Sequence, residues 1–542
     1  MKNRFIKSVK SSLLVITLAG ITFSCSNDIF DKQPLDQASD ATFWKTSKDA
    51  KLALTGCYYT NGGGWSGEDY WTPRALLYLD LMAGDGSEKE GIPDMITDGT
   101  VYSGYWVVSA YWSHAYAKIA TCNNFMDHIE AIDLDASIKA MYKAEIRTLR
   151  AYEYLNLALY YGDVPLVTKV LSLDEANKVK RTAKADVWSF CETELKEASA
   201  ALPNTRSSSE VGRMTSGASL ALLGRLQMAE KKWSDAVATY KKIIDQGVYE
   251  IDSRYNELFT ETGEDSKEII MRSCYVEDDY SHVMLQYLYP ETWGGWHQFS
   301  PFNELAQDFE CTDGKTINES PLYNEDKPYD NRDPRLFYTL MVSGYTTFKG
   351  KVYNADPKSS SADRFGKYSA WTGYSIRKFM DESFSGNLMN YGGDFPMIRY
   401  AEVLLSYLES RLEAGEAIDQ TLLDATINKV RGRAAVKMPA VTETNKDKLR
   451  TIVRRERHVE LAFEGERYYD ILRWGIAAQE LNRQFHGIKL TTDPANYKDF
   501  KVDEKGYSVA QKRNFKAGVN ELWPIPLSEI QINPNLTQNP GY

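Results

Sequence analysis

Two small residues, Gly224 and Ala236, constrain the fold of this chain more than any other feature of its sequence. They lie within Thr215 to Gly247, where the spacing of apolar residues predicts two consecutive helices. A glycine on the first helix and an alanine twelve residues later let the two helices approach closely, and Tyr240 is placed to fill the space beside them. This order of small and large positions is typical of a tetratricopeptide repeat.

Other parts of the chain show the same helical periodicity, over about 41–60, 106–247 and 395–475. A single helix pair of this kind cannot bury its apolar face, so we expect the pairs to stack on one another. Between about 250 and 394, Gly, Asp, Ser, Tyr and Trp dominate and helical runs are short. The sequence therefore predicts one mainly α domain, 41–542, in which a tetratricopeptide-like helical-repeat scaffold carries a large irregular, loop-rich lobe.

The stretch Arg454 to Gly475 has an unusual density of charge. Apolar residues recur at three- and four-residue steps, and arginines and glutamates lie between them. This pattern predicts one charged amphipathic helix followed by a tight stop. Because so many charges lie close to Tyr469 and Trp474, we expect an ion-pair lattice under a packed surface, with a structural and not a catalytic role.

Aromatic residues are abundant, with 35 Tyr and 12 Trp in 542 residues, and some lie in glycine-rich, polar sequence where a core role is harder to defend. A flat ring covers the C–H face of a sugar while nearby amide, carboxylate and guanidinium groups bond its hydroxyls. The alternative is that each ring packs inside its own lobe. The candidate ligand-binding residues are Trp65, Tyr70, Trp71, Tyr105, Tyr289, Trp293 and Trp296.

The N-terminus, residues 1–24, has the pattern of a lipoprotein signal peptide. Four basic residues precede an apolar run from Leu13 to Phe23, which is too short to span a bilayer stably. Cys25 follows a loose lipobox, so cleavage and acylation there would leave a lipid-anchored N-terminus, with residues 25–40 as a surface tether. The alternative is a secreted protein whose Cys25 lies near the cleavage site by chance.

No motif for catalysis or cofactor binding stands out. The six histidines form no HExxH motif, and the sequence has no EF-hand loop, nucleophile elbow or phosphate-binding loop. A formal charge of −11 argues against nucleic-acid binding, because phosphate repels an acidic protein. We expect a protein that is not an enzyme and needs no cofactor or metal. The alternatives are a Ca²⁺ site at Asp80 and Asp85, and a glycosidase pair among the many carboxylates.

Six segments resemble, in order, the signatures of the SusD/RagB family, surface lipoproteins of Bacteroidetes that capture nutrients. Pro301 to Lys315 and Asn331 to Leu336 are similar to the middle of the family's sequence. Glu145 to Val167 is similar to the family's early helix, and Phe395 to Gly415 is similar to its R-x-A-E-x-L-L helix. Arg454 to Gly475 is similar to its late signature, and Leu522 to Tyr542 to its C-terminal signature. The resemblance covers nearly the whole mature chain.

This resemblance implies a SusD-like fold and a noncatalytic protein on the outer face of the outer membrane, anchored by lipid at Cys25. It implies binding of an oligosaccharide or polysaccharide and delivery to a partner, a SusC-like TonB-dependent transporter. In this family the glycan site lies in loops of the first and middle regions, and Trp296 resembles the family's middle-region binding tryptophan. Peptide uptake in the manner of RagB, and a repeat-based assembly adaptor without ligand, are the open alternatives.

Overall fold

The computed structural model describes residues 43–59, 69–367, 370–490 and 500–542. The predicted signal peptide, the tether with Cys25, and Trp65 lie outside the described residues and stay predictions. None of the helices in the described ranges combines the length and the low polarity that crossing a bilayer requires.

Helices form most of the regular structure. The helices are α1 Ser47–Tyr58, α2 Pro73–Met82, α3 Asp94–Thr97, α4 Trp106–His128, α5 Ala136–Tyr161, α6 Leu173–Ala176, α7 Lys184–Ala201, α8 Ser216–Ala229, α9 Trp233–Gln246, α10 Met284–Leu288, α11 Asn303–Asp308, α12 Arg335–Thr339, α13 Tyr400–Glu413, α14 Gln420–Ala425, α15 Ile427–Arg431, α16 Lys446–Leu461, α17 Arg467–Arg473, α18 Ala477–Leu481 and α19 Leu527–Ile532. The strands are β1 Gly86–Glu88, β2 Ile269–Ser273, β3 Phe299–Pro301, β4 Leu340–Met341, β5 Thr347–Phe348, β6 Lys351–Val352, β7 Ser375–Ile376, β8 Phe395–Arg399, β9 Gln484–Lys489 and β10 Tyr507–Lys512.

The long helices stack in chain order. α4 packs on α5, α5 on α7, α7 on α8, α8 on α9, α9 on α13, and α13 on α16. Where α8 meets α9, a Cβ added to Gly224 would lie 2.4 Å from the ring of Tyr240, so only glycine leaves room for that ring. The mainly α fold built from stacked helix pairs is therefore confirmed, together with the packing reason for glycine at this position.

The irregular lobe lies between α9 and α13. Its strands are short and pair in twos: β2 with β8, β4 with β7, and β5 with β6. β3 instead pairs antiparallel with β1, which places Glu88 opposite Phe299. This pairing brings the loop after α2 against the middle of the lobe.

The prediction of a single helix from Arg454 to Gly475 is wrong. α16 ends at Leu461, and α17 begins only at Arg467. Between them Phe463 adopts the left-handed backbone conformation, with φ of 66°, which a continuous right-handed helix does not allow.

Side chains from distant segments hold both ends of this break. The Lys378 ammonium donates to two carbonyl groups at the end of α16, at 3.1 and 2.9 Å. The Asp80 carboxylate accepts the amides of Gly465 and Arg467, both at 2.8 Å, at the start of α17. The unpaired main-chain groups at the buried ends of the two helices thereby find polar side-chain partners, which allows the break inside the core.

The predicted ion-pair lattice is present and buried. Glu456 of α16 accepts from Arg335 and Arg431 at 2.5 and 2.6 Å. Glu460, one turn later, accepts from Arg335 and Arg399 at 3.0 and 3.1 Å. Burial opposes ionisation of Glu456, but the two guanidinium groups outweigh it and lower its pKa to about 2. Such a lattice fixes how α16, the lobe and α15 meet, and removing one member leaves an unpaired buried charge.

Candidate ligand-binding surface

Four of the predicted ligand-binding aromatics belong to the core. Tyr70, Trp71, Tyr105 and Tyr289 are at most 5% exposed. Trp71 donates its indole N–H to Glu153, while Tyr105 and Tyr289 donate their hydroxyls to main-chain carbonyl groups. Packing buries the rings of Tyr70, Tyr105 and Tyr289, so the prediction that these three face a ligand is wrong. Trp71 is buried as well, but its ring forms part of the wall of a cavity, and its role in ligand binding stays a prediction.

Trp293 and Trp296 are half-buried and lie on the loop that follows α10. The main chain of this loop is fixed by its own hydrogen bonds. The Trp296 amide donates to the carbonyl of Gln286 at 2.7 Å, and the Gln298 amide donates to the carbonyl of Tyr287 at 2.8 Å. The loop is therefore ordered by its backbone, and the two indoles leave part of their surface open to solvent.

Asp363 supports the same loop from another part of the lobe. Its carboxylate accepts the amides of Glu291 and Thr292 at 2.7 and 3.1 Å and lies 3.4 Å from Nδ1 of His297. Burial raises the pKa of Asp363, but the hydrogen bonds from His297 and Thr292 outweigh it and hold the pKa below its usual value. One ionised carboxylate thus ties together the residues on either side of the two tryptophans.

The two tryptophans contact different partners. The Trp296 ring meets Tyr287 edge-on, with ring centroids 5.4 Å apart, and the Arg74 guanidinium lies 5.3 Å from the centroid of the Tyr287 ring. Trp293 meets Phe348 edge-on at 5.5 Å. The structure therefore groups Trp296 with Tyr287 and Arg74, and it places Trp293 in a separate ring cluster.

A polar rim lies beside Trp296, where β1 runs along β3. The side-chain amide of Gln298 donates to the carboxylates of both Glu88 and Glu90. Burial of Glu88, and then its hydrogen bond with Glu90, raise the pKa of Glu88 to about 8. Glu90 itself is exposed. We define the tryptophan surface as Arg74, Tyr287, Glu90, Trp296 and Gln298.

Asp80 and Asp85, the alternative Ca²⁺ site, hold the fold instead. Asp80 caps α17, and Asp85 accepts from Nε2 of His458 at 2.7 Å while Asp308 meets Nδ1 of the same ring at 2.7 Å. Burial opposes protonation of His458, but the two carboxylates outweigh it and raise its pKa to about 9. In the ranges that the structure describes, no group of three or more His, Cys, Asp or Glu side chains is placed to hold a metal ion.

Two family models match the chain. The model described as "SusD family" matches residues 261–542, and the model described as "Starch-binding associating with outer membrane" matches residues 94–228.

Individual proteins are similar over nearly the whole length. A crystal structure of a SusD-like carbohydrate binding protein from Bacteroides fragilis shares 36% identity and a TM-score of 0.87, covering 92% of this chain and 100% of that chain. SusD-like protein P2 of Formosa agariphila is 25% identical over 98% of each chain. The starch-binding protein SusD of Bacteroides thetaiotaomicron is 23% identical over 100% of each chain.

Proposed function

Since the chain belongs to the SusD family, we propose that its tryptophan surface binds an oligosaccharide or polysaccharide without cleaving it. The observation that carries this proposal is Trp296, a half-buried indole on a fixed loop beside amide, carboxylate and guanidinium groups. The B. fragilis relative, a carbohydrate binding protein, supports the same ligand class.

The chemistry of this surface suits a sugar. The open part of the Trp296 ring can cover the C–H face of a pyranose, and the tryptophan surface supplies donors and acceptors at its edge. Arg74 donates, Glu90 accepts, and the Gln298 amide does both. These groups are spread along a shallow surface, which fits a polymer held at several sugars more than a small molecule enclosed in a cavity.

Order in the loop favours reversible capture. The backbone hydrogen bonds and Asp363 fix the position of Trp296 before any ligand arrives. A ring that is already in place loses little conformational entropy on binding. Modest contact with each sugar is then enough for useful affinity.

The carboxylates beside Trp296 do not form a glycosidase pair. A glycosidase needs two carboxyl groups separated by about 5 Å or more, with the glycosidic bond between them. Here Glu88 is hydrogen-bonded to Glu90, and both accept from the same Gln298 nitrogen, so no glycosidic bond fits between the two carboxyl groups. This arrangement supports binding without hydrolysis, and incubation with labelled oligosaccharides tests it, since any cleavage product would favour the hydrolase alternative.

The cellular setting is part of the proposal. Acylation of Cys25 would place the protein on the outer face of the outer membrane, beside a SusC-like TonB-dependent transporter that accepts the glycan. The family description "associating with outer membrane" supports this location. Metabolic labelling with a palmitate analogue in wild type and in Cys25→Ala tests the anchor. Copurification from solubilised outer membranes tests the transporter partnership, and recovery of the protein alone would contradict it.

The binding proposal is tested by titration calorimetry against a panel of soluble glycans, with Trp296→Ala as the decisive variant. Loss of roughly 60 Å² of ring contact at about 25 cal/mol per Å² predicts about 1.5 kcal/mol, or roughly tenfold weaker binding. Trp106→Ala is the matched control, because Trp106 is exposed on α4 and lies outside the tryptophan surface. Equal affinity of wild type and Trp296→Ala for a bound glycan would remove the tryptophan surface as its site.

Two rivals make different predictions in the same panel. A RagB-like protein would bind peptides and no glycan, and an adaptor would copurify with its partner and bind neither. Trp293→Ala is informative as well: since Trp293 packs on Phe348 in a separate cluster, its loss should weaken glycan binding less than loss of Trp296 does.

A further inference from the structure

Two cysteines meet where α1 packs on α4, and the tryptophan surface uses neither of them. Cys57 lies in the last turn of α1 and Cys122 lies in α4, and both residues are at most 1% exposed. Their thiols are hydrogen-bonded to each other, and Cys57 Sγ also lies 3.8 Å from the carbonyl oxygen of Thr121. Two thiols in contact are therefore enclosed in the core, although they lie far apart in sequence.

The Lys118 ammonium of α4 fixes the main chain of α1 at this contact. It donates to the carbonyl oxygens of Cys57 and Tyr59, at 3.4 and 2.8 Å. The last carbonyl groups of a helix lack partners within it, so a cation from α4 satisfies them here and holds the end of α1 beside Cys122. The hydrogen bond with Cys57 lowers the pKa of the Cys122 thiol although burial opposes it, and Lys118 adds to the effect.

α1 itself buries little apolar surface. Of its twelve residues, only Ala50, Leu54 and Cys57 are buried, and their spacing puts them on one stripe. The stripe faces α4 and α5. A helix held by so few buried side chains opens locally at a small cost in free energy. A covalent bond from Cys57 would therefore act at one of the few points where α1 is held.

We propose that Cys57 and Cys122 are joined by a disulfide bond in the exported protein, and that this bond fixes α1 on the helical scaffold. The bond closes a loop of about 65 residues, and a cross-link of that span removes much conformational freedom from the unfolded chain. Disulfides persist in the oxidising compartments outside the cytoplasm. The inference rests on the proposed export and not on glycan binding. Since α1 follows the predicted tether, the bond would also set where the tether meets the scaffold.

The step is a thiol–disulfide exchange with a dithiol oxidoreductase in its disulfide form. One cysteine thiolate attacks a sulfur atom of the oxidant and expels one thiolate, which leaves a mixed disulfide. The second cysteine thiolate attacks the sulfur atom of the first cysteine and expels the other thiolate of the oxidant. Two thiols are oxidised, one disulfide is reduced, and the two protons go to the expelled thiolates. Because both sulfur atoms are buried in the folded protein, the exchange takes place before α1 packs on α4.

The first experiment maps the link in the full chain. Cells that export the protein are quenched with acid, and the denatured protein is alkylated without reductant, digested and analysed by mass spectrometry. Cys191, Cys274 and Cys311 should be alkylated, whereas Cys57 and Cys122 should appear as one cross-linked pair of peptides that a reductant separates. Alkylation of both Cys57 and Cys122 without reductant, or a link from either to another cysteine, would overturn the proposal.

The second experiment measures what the bond does. Wild type is refolded in a glutathione redox buffer or in excess dithiothreitol, and trypsin cleavage after Lys48 and Lys51 is timed, because both lysines are exposed on α1. The oxidised form should be cleaved there at least about tenfold more slowly, since the bond opposes local opening of α1. Cys57→Ala should remove this redox dependence. Equal cleavage rates of oxidised and reduced wild type would overturn the role given to the bond.

Two controls make the result specific. Cys191→Ala is the matched variant, because Cys191 is also fully buried and its thiol donates to the main-chain carbonyl of Ala151 at 3.6 Å; it should keep the redox dependence. Trp296→Ala should keep the cross-link while it loses glycan affinity, so the two proposals fail separately. A link that forms in the redox buffer but is missing from the cells would contradict export to an oxidising compartment and overturn the bond in the native protein.

Discussion

Tyr70 and Trp296 both lie in glycine-rich, polar sequence, but the structure places their rings in two different aromatic regions. In the aromatic column, defined as Tyr70, Tyr111, Tyr160, Tyr468 and Trp523, rings stack at centroid distances of about 5 to 6 Å, and every ring is buried. In the loop after α10, Trp296 has Tyr287 as its ring partner and keeps part of its indole open. Whether an aromatic residue is exposed therefore depends on the segments that pack over its ring, and not on whether its neighbours in sequence are glycine-rich and polar.

The segment that buries the aromatic column lies near the C-terminus, far from Tyr70 in sequence. Trp523, near the C-terminus, stacks on Tyr160 at 4.9 Å, and its amide donates to the Tyr160 carbonyl at 2.6 Å. That contact closes the column over Tyr70. At Trp296 the order comes from the loop's own backbone and from Asp363. The aromatic column contributes its ring surface to stability, whereas we propose that the loop keeps part of the Trp296 ring for a ligand.

The largest effect is expected from Trp523→Ala. Removing a fully buried indole from the column leaves a cavity and should cost about 3 to 5 kcal/mol of unfolding free energy. Chemical denaturation measures the loss, and the folded fraction should bind glycan with unchanged affinity. Trp106→Ala, an exposed tryptophan on α4, is the matched control and should leave the unfolding midpoint nearly unchanged. Similar midpoints for the two variants would contradict the division of roles.

A second, smaller effect concerns how the unfolding free energy depends on pH. His458 lies between Asp85 and Asp308, and its pKa rises from 6.5 to about 9 in the folded protein. A raised histidine pKa stabilises the fold fully below about pH 6.5, and this contribution is lost as the pH rises to about 9. The loss amounts to at most about 3.5 kcal/mol, since each pKa unit between 6.5 and about 9 corresponds to about 1.4 kcal/mol. In His458→Gln the stability should be lower at pH 6 and change less between pH 6.5 and 9, as measured by denaturation at several pH values.

Local sequence was enough for some of this architecture and insufficient for the rest. The Gly224–Tyr240 contact is predictable because it joins two consecutive helices. Helical spacing likewise indicates the density of charge on α16, although the arginines that pair with Glu456 and Glu460 come from other segments. The break before α17 was missed because it depends on Lys378 and Asp80, which approach from distant segments. The spacing of apolar residues in one segment does not show which residues from distant segments will contact it.

The candidate site shows the same limit. Trp296 stood out from its own glycine-rich sequence, but no local signal marked Arg74 or the Glu88–Glu90 pair. Glu88 and Glu90 meet Gln298 because β1 pairs with β3, and Arg74 meets Tyr287 from α2; both contacts join residues some two hundred positions apart. Tyr70 and Trp71 were predicted to be open to a ligand but are buried, because the helices and the C-terminal segment that cover them lie far away in sequence.

A smaller effect is expected from Asp363→Asn. The neutral amide cannot accept both main-chain N–H groups as strongly, so the loop should loosen and lose about 1 to 2 kcal/mol of unfolding free energy. Glycan affinity should fall several-fold although Asp363 is not part of the tryptophan surface. Asp356→Asn is the control, because Asp356 accepts a main-chain amide in the same lobe but is exposed. Unchanged affinity in Asp363→Asn would mean that Trp296 does not need this support.

The smallest effect concerns the rim. Because the pKa of Glu88 lies near 8, its carboxyl is mainly protonated at pH 6 and ionised at pH 9. Ionised Glu88 repels Glu90 and competes for the same Gln298 amide, so glycan affinity should decline by about threefold or less as the pH rises through 8. Glu90→Gln removes the repulsion, which lowers the pKa of Glu88 and moves the decline to lower pH. Calorimetry at pH 6, 7, 8 and 9 locates the decline in each protein, and an identical pH profile for wild type and Glu90→Gln would show that the rim does not respond to Glu88. In that case the difference between the column and the loop would rest on Trp296 alone, and the polar groups beside it would only complete the fold.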